Sequence, residues 1–245
     1  MSEKIQIYLN SKRANKYIDN NTSNCIFFLP RVNIKKNNNI TISVLSMQLP
    51  YSFYNINYTN NKLTYVVNGV INTVYITPSN YNVNSLKDHI ITLIGSDTFN
   101  IIYSASSNKF TFTNKVNDFT LLNTNSNCFE LLGLSEVDHF SVNRVLVSDL
   151  VCNLFTIRNI HIVSDNFILN NIDSFNPNNS NILASVPVNT IYNGVISYTN
   201  DHNVYSEIND VTNLTHLHIK LTDQDGDIIN LNGTHFSITL LLTIK

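Results

Sequence analysis

Apolar and polar side chains alternate with a period of two along much of this 245-residue chain. The clearest examples lie near its end, where Leu217, Ile219 and Leu221 alternate with polar residues and the alternation returns from Phe236 to Ile244. Such alternation is typical of strands with one buried face. A chain that ends within such a strand is expected to have its C-terminus paired in a sheet. We therefore predict that residues 217–245 close a β-fold.

Short turn signals divide the earlier part of the chain into hairpins. Asn68-Gly69 separates Leu63–Val67 from Val70–Val74, and this dipeptide is the strongest short-range hairpin signal. A second hairpin is predicted for Phe99–Tyr103 and Lys109–Thr113, on either side of a Ser-Ser-Asn turn.

Two short helices are predicted between these strands. The first has Ser85 as its N-cap, apolar residues at helical spacing, and Gly95 at its end. The second is a single turn with Asn127 as N-cap, Glu130 at the third helical position and Gly133 at its end.

The whole pattern amounts to about ten strands with one or two short inserted helices, which fits an all-β sandwich or jelly roll. No linker or internal repeat divides the chain. We expect residues 1–24 to form an extended N-terminal arm, because their sequence is polar and loses its alternation after Leu9. Residues 25–245 are expected to form one domain.

The composition is unusual in its low charge. Charged residues make up 13% of the chain, roughly half of the typical share of about 25%, and asparagine is abundant instead. One explanation is an AT-rich genome, whose codons favour asparagine. The other is a surface of neutral amides suited to packing against further copies, and the two explanations are compatible.

The charge balance argues against nucleic acid as the main partner. The formal net charge is −2, whereas nucleic-acid binding draws most of its affinity from Lys and Arg at phosphates. Basic residues gather only near the N-terminus, which leaves open a weak contact with an enclosed genome. These residues are Lys4, Lys12, Arg13 and Lys16, then Arg31, Lys35 and Lys36.

Two clusters could hold a metal ion. Asp223, Asp225 and Asp227 suggest calcium, but the glycine and glutamate positions of an EF-hand loop are not matched, so a turn with exposed carboxylates is favoured. His216, His218 and His235 could meet on one sheet face and bind zinc. Exposed histidines on a polar strand face are much commoner, so we assign no metal ligand.

No catalytic or cofactor-binding residue is assigned. The chain contains no GxSxG, HExxH, P-loop or GxGxxG motif, so we do not expect an enzyme or a cofactor. Cys25, Cys128 and Cys152 form no CxxC pair and are expected to be buried free thiols. The first residues lack the basic and apolar regions of a signal peptide, so we expect none, and we expect no membrane span because no apolar run approaches about 20 residues.

Several segments, in colinear order, resemble one protein family. They are the C-terminal LTDQDGDIINLNGTHFSITLLL, the N-terminal LNSKRANKYIDNNTSNCIFFLP, and the internal stretches LPYSFYNINYTNNKL, NYNVNSLKDHI and FELLGLS. Together they are similar to the single jelly-roll penton and minor capsid proteins of virophages, polinton-like viruses and large nucleocytoplasmic DNA viruses. None of the motifs is catalytic.

The resemblance implies a structural capsid protein folded as a single jelly roll with two antiparallel four-stranded sheets. It further implies a homopentamer at the fivefold vertices of an icosahedral double-stranded DNA virus or virophage. Its neighbours would be double jelly-roll major capsid proteins, in a virion assembled in the host cytoplasm or nucleus.

Two alternatives remain open at the level of sequence. One is a minor capsid or cement protein of the same fold elsewhere in the shell. The other is a glycan- or receptor-binding β-sandwich, because the aromatic and Asn-rich stretches Tyr51–Asn61 and Tyr81–Asn84 could stack on and hydrogen-bond to sugars. The absence of Trp from the chain weighs against the second alternative.

Overall fold

The computed structural model describes residues 3–33, 40–169, 171–172, 180–209 and 213–244. Its helices are α1 (Val83–Ile94), α2 (Phe129–Leu132) and a short 3-10 helix (Ser11–Arg13). The strands found in these ranges are β1 (Glu3–Asn10), β2 (Lys16–Ile18), β3 (Asn21–Asn33), β4 (Ile40–Pro50), β5 (Lys62–Val67), β6 (Val70–Tyr75), β7 (Phe99–Ser104), β8 (Lys109–Asn114), β9 (Phe119–Leu121), β10 (His139–Phe140), β11 (Val145–Val147), β12 (Asn159–Ser164), β13 (Ile168–Leu169), β14 (Ile182–Pro187), β15 (Val195–Thr199), β16 (Ser206–Asn209), β17 (Asn213–Thr222) and β18 (Ser237–Ile244).

The chain divides into two compact units, where the sequence predicted an arm and one domain. Unit 1 combines residues 1–53 with residues 157–245, and unit 2 is the continuous stretch 54–156. Unit 2 is therefore inserted in the connection between β4 and β12 of unit 1. No Pro-, Gly- or Ser-rich linker marks either junction, which is why the alternation pattern did not reveal the insertion.

Unit 1 is a jelly roll, as the sequence predicted. One sheet has the order β1-β18-β4-β16-β13, with β15 also paired to β4, and the other has the order β14-β12-β17-β3-β2. The first strand lies beside the last, and successive strands of four or more residues alternate between the two sheets, except from β12 to β14 and from β15 to β16. This order is that of an eight-stranded double-sheet jelly roll. The predicted four-stranded sheets are each extended by short strands.

The expected N-terminal arm is part of this jelly roll. β1 pairs antiparallel with β18 along its whole length, from Glu3 opposite Ile244 to Asn10 opposite Ser237. Ile7 and Leu9 are buried, because the alternation that ends at Leu9 is a complete strand. Residues 16–18 of the same stretch form β2, which pairs with Ile26, Cys25 and Asn21 of β3.

The core of unit 1 comes from both sheets, which enclose one buried hydrophobic cluster. β17 and β18 each contribute alternate side chains, as the pattern of apolar residues predicted. Those that are at most 2% exposed are Leu217, Ile219, Leu221, Ile238, Leu240 and Leu242.

Unit 2 has its own hydrophobic core between two smaller sheets, ordered β10-β9-β5-β6 and β11-β8-β7. Phe99 is buried in this core and makes edge-to-face contacts with Tyr65 and Phe119, a favourable geometry for aromatic pairs. Leu86 and Ile90 of α1 are buried in the same cluster.

Both predicted hairpins are confirmed by the register of β5 with β6 and of β7 with β8. The predicted helix caps need correction. The N-cap of α1 is Asn82, and Ser85 is its third residue, with which Asn82 forms a reciprocal capping box. Asn127 does not cap α2, whose N-cap Cys128 makes no side-chain cap bond. The Asn127 side chain instead accepts a hydrogen bond from the Lys62 N–H at 2.6 Å.

Candidate assembly surfaces

The three histidines proposed as a zinc site have separate partners. His235 Nδ1 lies 3.1 Å from the buried Ser11 hydroxyl, and His216 Nδ1 lies 3.4 Å from Thr215 Oγ1. Within the described ranges, no three His, Cys, Asp or Glu side chains are grouped as metal ligands. His235 and His216 thus each lie beside a different hydroxyl group.

His218 belongs to a polar network that joins β17 to its neighbours. Its Nε2 lies 2.6 Å from Asn24 Oδ1 and its Nδ1 lies 3.2 Å from Asp165 Oδ2. Lys220 forms an ion pair with the same carboxylate. Burial lowers the pKa of His218, although the Asp165 carboxylate acts in the opposite direction. The network fixes the connection after β12 against β17, which is a structural role.

The aspartates at residues 223–227 form a tight turn. The Asp223 carboxylate accepts the backbone N–H groups of Asp225 and Asp227 at 3.0 and 2.9 Å. Burial raises the pKa of Asp223, and these two N–H groups lower it in part. Gly226 has a φ of +90°, a conformation that glycine adopts at little cost. The carboxylate at the head of the turn is thus committed to the backbone.

The aromatic and Asn-rich stretches use their amides internally. Asn55 Nδ2 donates to the Tyr81 carbonyl, and Asn55 Oδ1 accepts from the Tyr81 N–H. Asn61 is buried and donates to the Ile76 carbonyl, while Asn82 caps α1. These three amides, which the sequence offered for binding a sugar, thus bond to backbone groups.

The first group of basic residues is exposed on β1, the 3-10 helix and β2. It comprises Lys4, Lys12, Arg13 and Lys16. Lys35 and Lys36 of the second group lie outside the described residues, and so does the side chain of Arg31.

A cleft of about 600 Å³ opens in unit 1 where β1 ends its sheet and β3 runs past β2. Its floor is formed by core residues Leu9 and Phe27, and its rim carries Tyr8, Arg13 and Phe28. Tyr8 is 73% exposed and Phe28 is 68% exposed. An open strand edge beside exposed aromatic rings is a surface on which another chain can pack.

None of the helices in the described residues has the length and apolar character needed to cross a membrane.

No protein-family model and no curated protein sequence matches the chain. Among solved structures, the crystal structure of the mavirus penton protein matches with a TM-score of 0.51 and 14% sequence identity, over the whole of both chains. A chain in the cryo-EM structure of the Sputnik virophage matches with a TM-score of 0.41 and 13% identity, over 97% of each chain. The first match shows that this chain shares the fold of the mavirus penton protein along its full length. At the level of fold, it confirms the resemblance identified from the sequence.

Proposed function

We propose that this protein is a structural capsid protein that forms homopentamers at the fivefold vertices of the icosahedral shell of a double-stranded DNA virus or virophage. The observation that carries this proposal is the fold shared with the mavirus penton protein over the full length of both chains. The neighbours of each pentamer are then double jelly-roll major capsid subunits, and the protein is located in the virion.

The surface chemistry supports an assembly role. Only 13% of the residues are charged, so large areas can be buried against other subunits without desolvating ions, which is costly. A ring of five copies needs two different surfaces on each copy, because a head-to-tail contact closes a cyclic assembly. The chain has several exposed apolar areas that could serve, including the cleft beside β1.

The test is the native mass of the purified 245-residue chain, measured by light scattering after size-exclusion chromatography. The expected result is a species of five chains of 27.8 kDa each. A stable trimer or monomer that binds a glycan array would contradict the proposal and support the receptor-binding alternative.

A second measurement separates the vertex position from other shell positions. In a reconstruction of the assembled particle, density for this jelly roll is expected at the fivefold axes. Density at quasi-threefold positions would instead make the protein a minor capsid or cement protein.

A further inference from the structure

The cleft beside β1 has an open strand edge. β1 is the end strand of its sheet and pairs only with β18, and just after this pairing the Ser11 N–H donates to the Phe236 carbonyl at 2.9 Å. Bonded and non-bonded residues alternate along an antiparallel pair, so Gln6 and Tyr8 direct their backbone N–H and C=O groups away from β18. Within the described residues, no other backbone hydrogen bond reaches these groups.

The wall of the cleft formed by β3 is protected against pairing, in contrast to β1. The Asn15 N–H donates to the Ile26 carbonyl at 2.9 Å, and the Phe28 N–H donates to Asn15 Oδ1 at 2.7 Å. Pro30, two residues further along β3, has no N–H to donate. Such devices prevent a strand edge from pairing with another chain. The part of β1 that lines the cleft, Tyr8–Asn10, contains no proline and no charge, so its edge remains available.

Three side chains that line the cleft offer hydrogen-bond donors. Asn10 Oδ1 accepts the Lys12 N–H at 2.9 Å, and Asn15 Oδ1 accepts the Phe28 N–H. A backbone N–H can only donate, so these bonds identify the oxygen of each amide and leave its NH₂ group to donate elsewhere. The Arg13 guanidinium has donors alone, and it takes part in none of the ion pairs found among the described residues.

A carboxylate is the group that matches these donors. Arginine binds carboxylates through two parallel hydrogen bonds, and no Asp or Glu lines the cleft to occupy Arg13. The other polar side chains that line it are hydroxyls, which donate as well as accept. Two exposed lysines add positive charge nearby, because Lys12 precedes Arg13 and Lys16 lies opposite Ile26, two residues from Phe28. The charge of the site therefore favours an acidic partner.

The remaining lining of the cleft favours a protein segment over nucleic acid. Leu9, Phe27 and Leu29 contribute apolar surface to it, which suits the alternate side chains of an extended peptide. A nucleic acid draws its affinity from several cations placed along its phosphates. Arg13 is the only charged residue that lines the cleft. An open strand edge, apolar lining and one arginine together match an extended peptide with an acidic side chain.

We infer that the cleft beside β1 binds an extended, acidic segment of a partner protein. The segment pairs with the open edge of β1, packs apolar side chains against Leu9 and Phe27, and places a carboxylate on Arg13. Backbone pairing supplies affinity in this mode of recognition, and the alternate side chains supply specificity. The site goes beyond the proposed function, because a position at the vertex does not require it.

The test is the binding of labelled peptides to the 245-residue chain, measured by fluorescence anisotropy. The peptides have eight residues, the length of β1, and their ends are acetylated and amidated to remove the terminal charges. Each alternates threonine with valine, leucine or phenylalanine and carries glutamate, glutamine or lysine at a central position. The glutamate series is expected to bind at least about tenfold more tightly than the glutamine series, and the lysine series most weakly.

The variant Arg13→Gln tests the assigned carboxylate partner. The Arg13 side chain is exposed and unpaired in the described structure, so the fold is expected to survive, while the preference for glutamate over glutamine disappears. Arg158→Gln is the matched control, because Arg158 is an exposed arginine of unit 1 that does not line the cleft. It is expected to keep the preference. Loss of the preference in both variants would contradict the assignment to Arg13.

N-methylation of every second peptide residue tests the strand pairing. Of the two possible patterns, the one that methylates the N–H groups facing β1 is expected to lose binding, and the other to keep it. Equal binding of both patterns would overturn the inference, and so would the failure of all three series to bind.

The remaining outcomes concern other occupants of the cleft. A thymidine oligonucleotide that displaces the peptides and loses affinity in Arg13→Gln would assign the cleft to nucleic acid and overturn the inference. A native mass that changes in Arg13→Gln would show that a second copy fills the cleft, with the same consequence. The native mass of the wild type tests the pentamer separately, so failure of either proposal leaves the other standing.

Discussion

Nine non-glycine residues in the described part of the chain have a positive φ, and seven of them are asparagine. Asparagine enters the left-handed region more readily than other residues with a side chain, and the chain has only six glycines. Asparagine thus fills turn positions where glycine would be usual, whatever the codon bias of the genome. The seven are Asn20, Asn68, Asn108, Asn143, Asn193, Asn203 and Asn232.

Two glycines allow backbone strain to be separated from steric overlap. A Cβ at Gly226 would meet no atom within 4 Å, whereas one at Gly133 would lie 2.6 Å from the Leu150 carbonyl oxygen. Both have positive φ. Gly226→Ala is expected to lower the free energy of unfolding by about 1–2 kcal/mol from strain alone, and Gly133→Ala by more. Chemical denaturation measures both, and equal losses would contradict the assigned overlap.

The three thiols are expected to be unreactive in the folded protein. Burial raises the pKa of Cys25 and of Cys128 to about 12, and that of Cys152 to about 11. Thiolate is the reactive form, so at pH 8 a thiol reagent should label none of them in native protein and all three in denaturant. Rapid native labelling of Cys25 or Cys128 would contradict their burial.

At the scale of single elements, α1 depends on its capping box. Asn82 accepts the N–H groups of Asn84 and Ser85, and the Asn82 N–H donates to Ser85 Oγ. Asn82→Ala is expected to lower the free energy of unfolding by about 1 kcal/mol.

Asn84→Ala is the matched control for this cap. Asn84 is an exposed residue inside the helix, where alanine has the higher propensity. We therefore expect no loss of stability in the same denaturation experiment. A larger loss for Asn84→Ala than for Asn82→Ala would contradict the assigned cap.

The elements that the sequence predicted best are those fixed by neighbouring residues. The Asn68-Gly69 hairpin needs only its own turn and the two strands beside it, and its register is confirmed. The predicted start of α1 is three residues late because Asn82 and Ser85 are both good capping residues. Only the structure shows that Asn82 has the non-helical φ and ψ of the N-cap. Asn127 looked like a cap for a similar reason, but its side chain bonds to β5.

The candidate surfaces could not be predicted from the sequence for a related reason. The apolar residues from Phe140 to Val147 are visible in the sequence. Because they occupy both odd and even positions, the sequence does not show which face of the strands is buried. Only the register of β10 and β11 with other strands places them on the solvent side. The cleft beside β1 likewise forms between segments that are far apart in the chain.

At the scale of the whole molecule, each unit builds its core from its own residues. We expect Phe112→Ala to destabilise unit 2 by about 3–5 kcal/mol and Leu240→Ala to destabilise unit 1 by about 2–5 kcal/mol, because both leave cavities in buried clusters. Hydrogen exchange measured by segment should show lost protection mainly within 54–156 for the first variant and mainly outside it for the second. Uniform loss across both units in both variants would mean that the two cores unfold together.

The position of β18 has a consequence for synthesis. β18 lies between β1 and β4 and follows every other described strand in the chain, so on the ribosome the first sheet of unit 1 lacks an inner strand until residues 237–244 emerge. Unit 2 has all its strands available once residue 156 has emerged, and domains generally fold as units during translation. Nascent chains would then carry a folded insertion on an unfinished jelly roll, which delays subunit assembly until residues 237–244 have emerged.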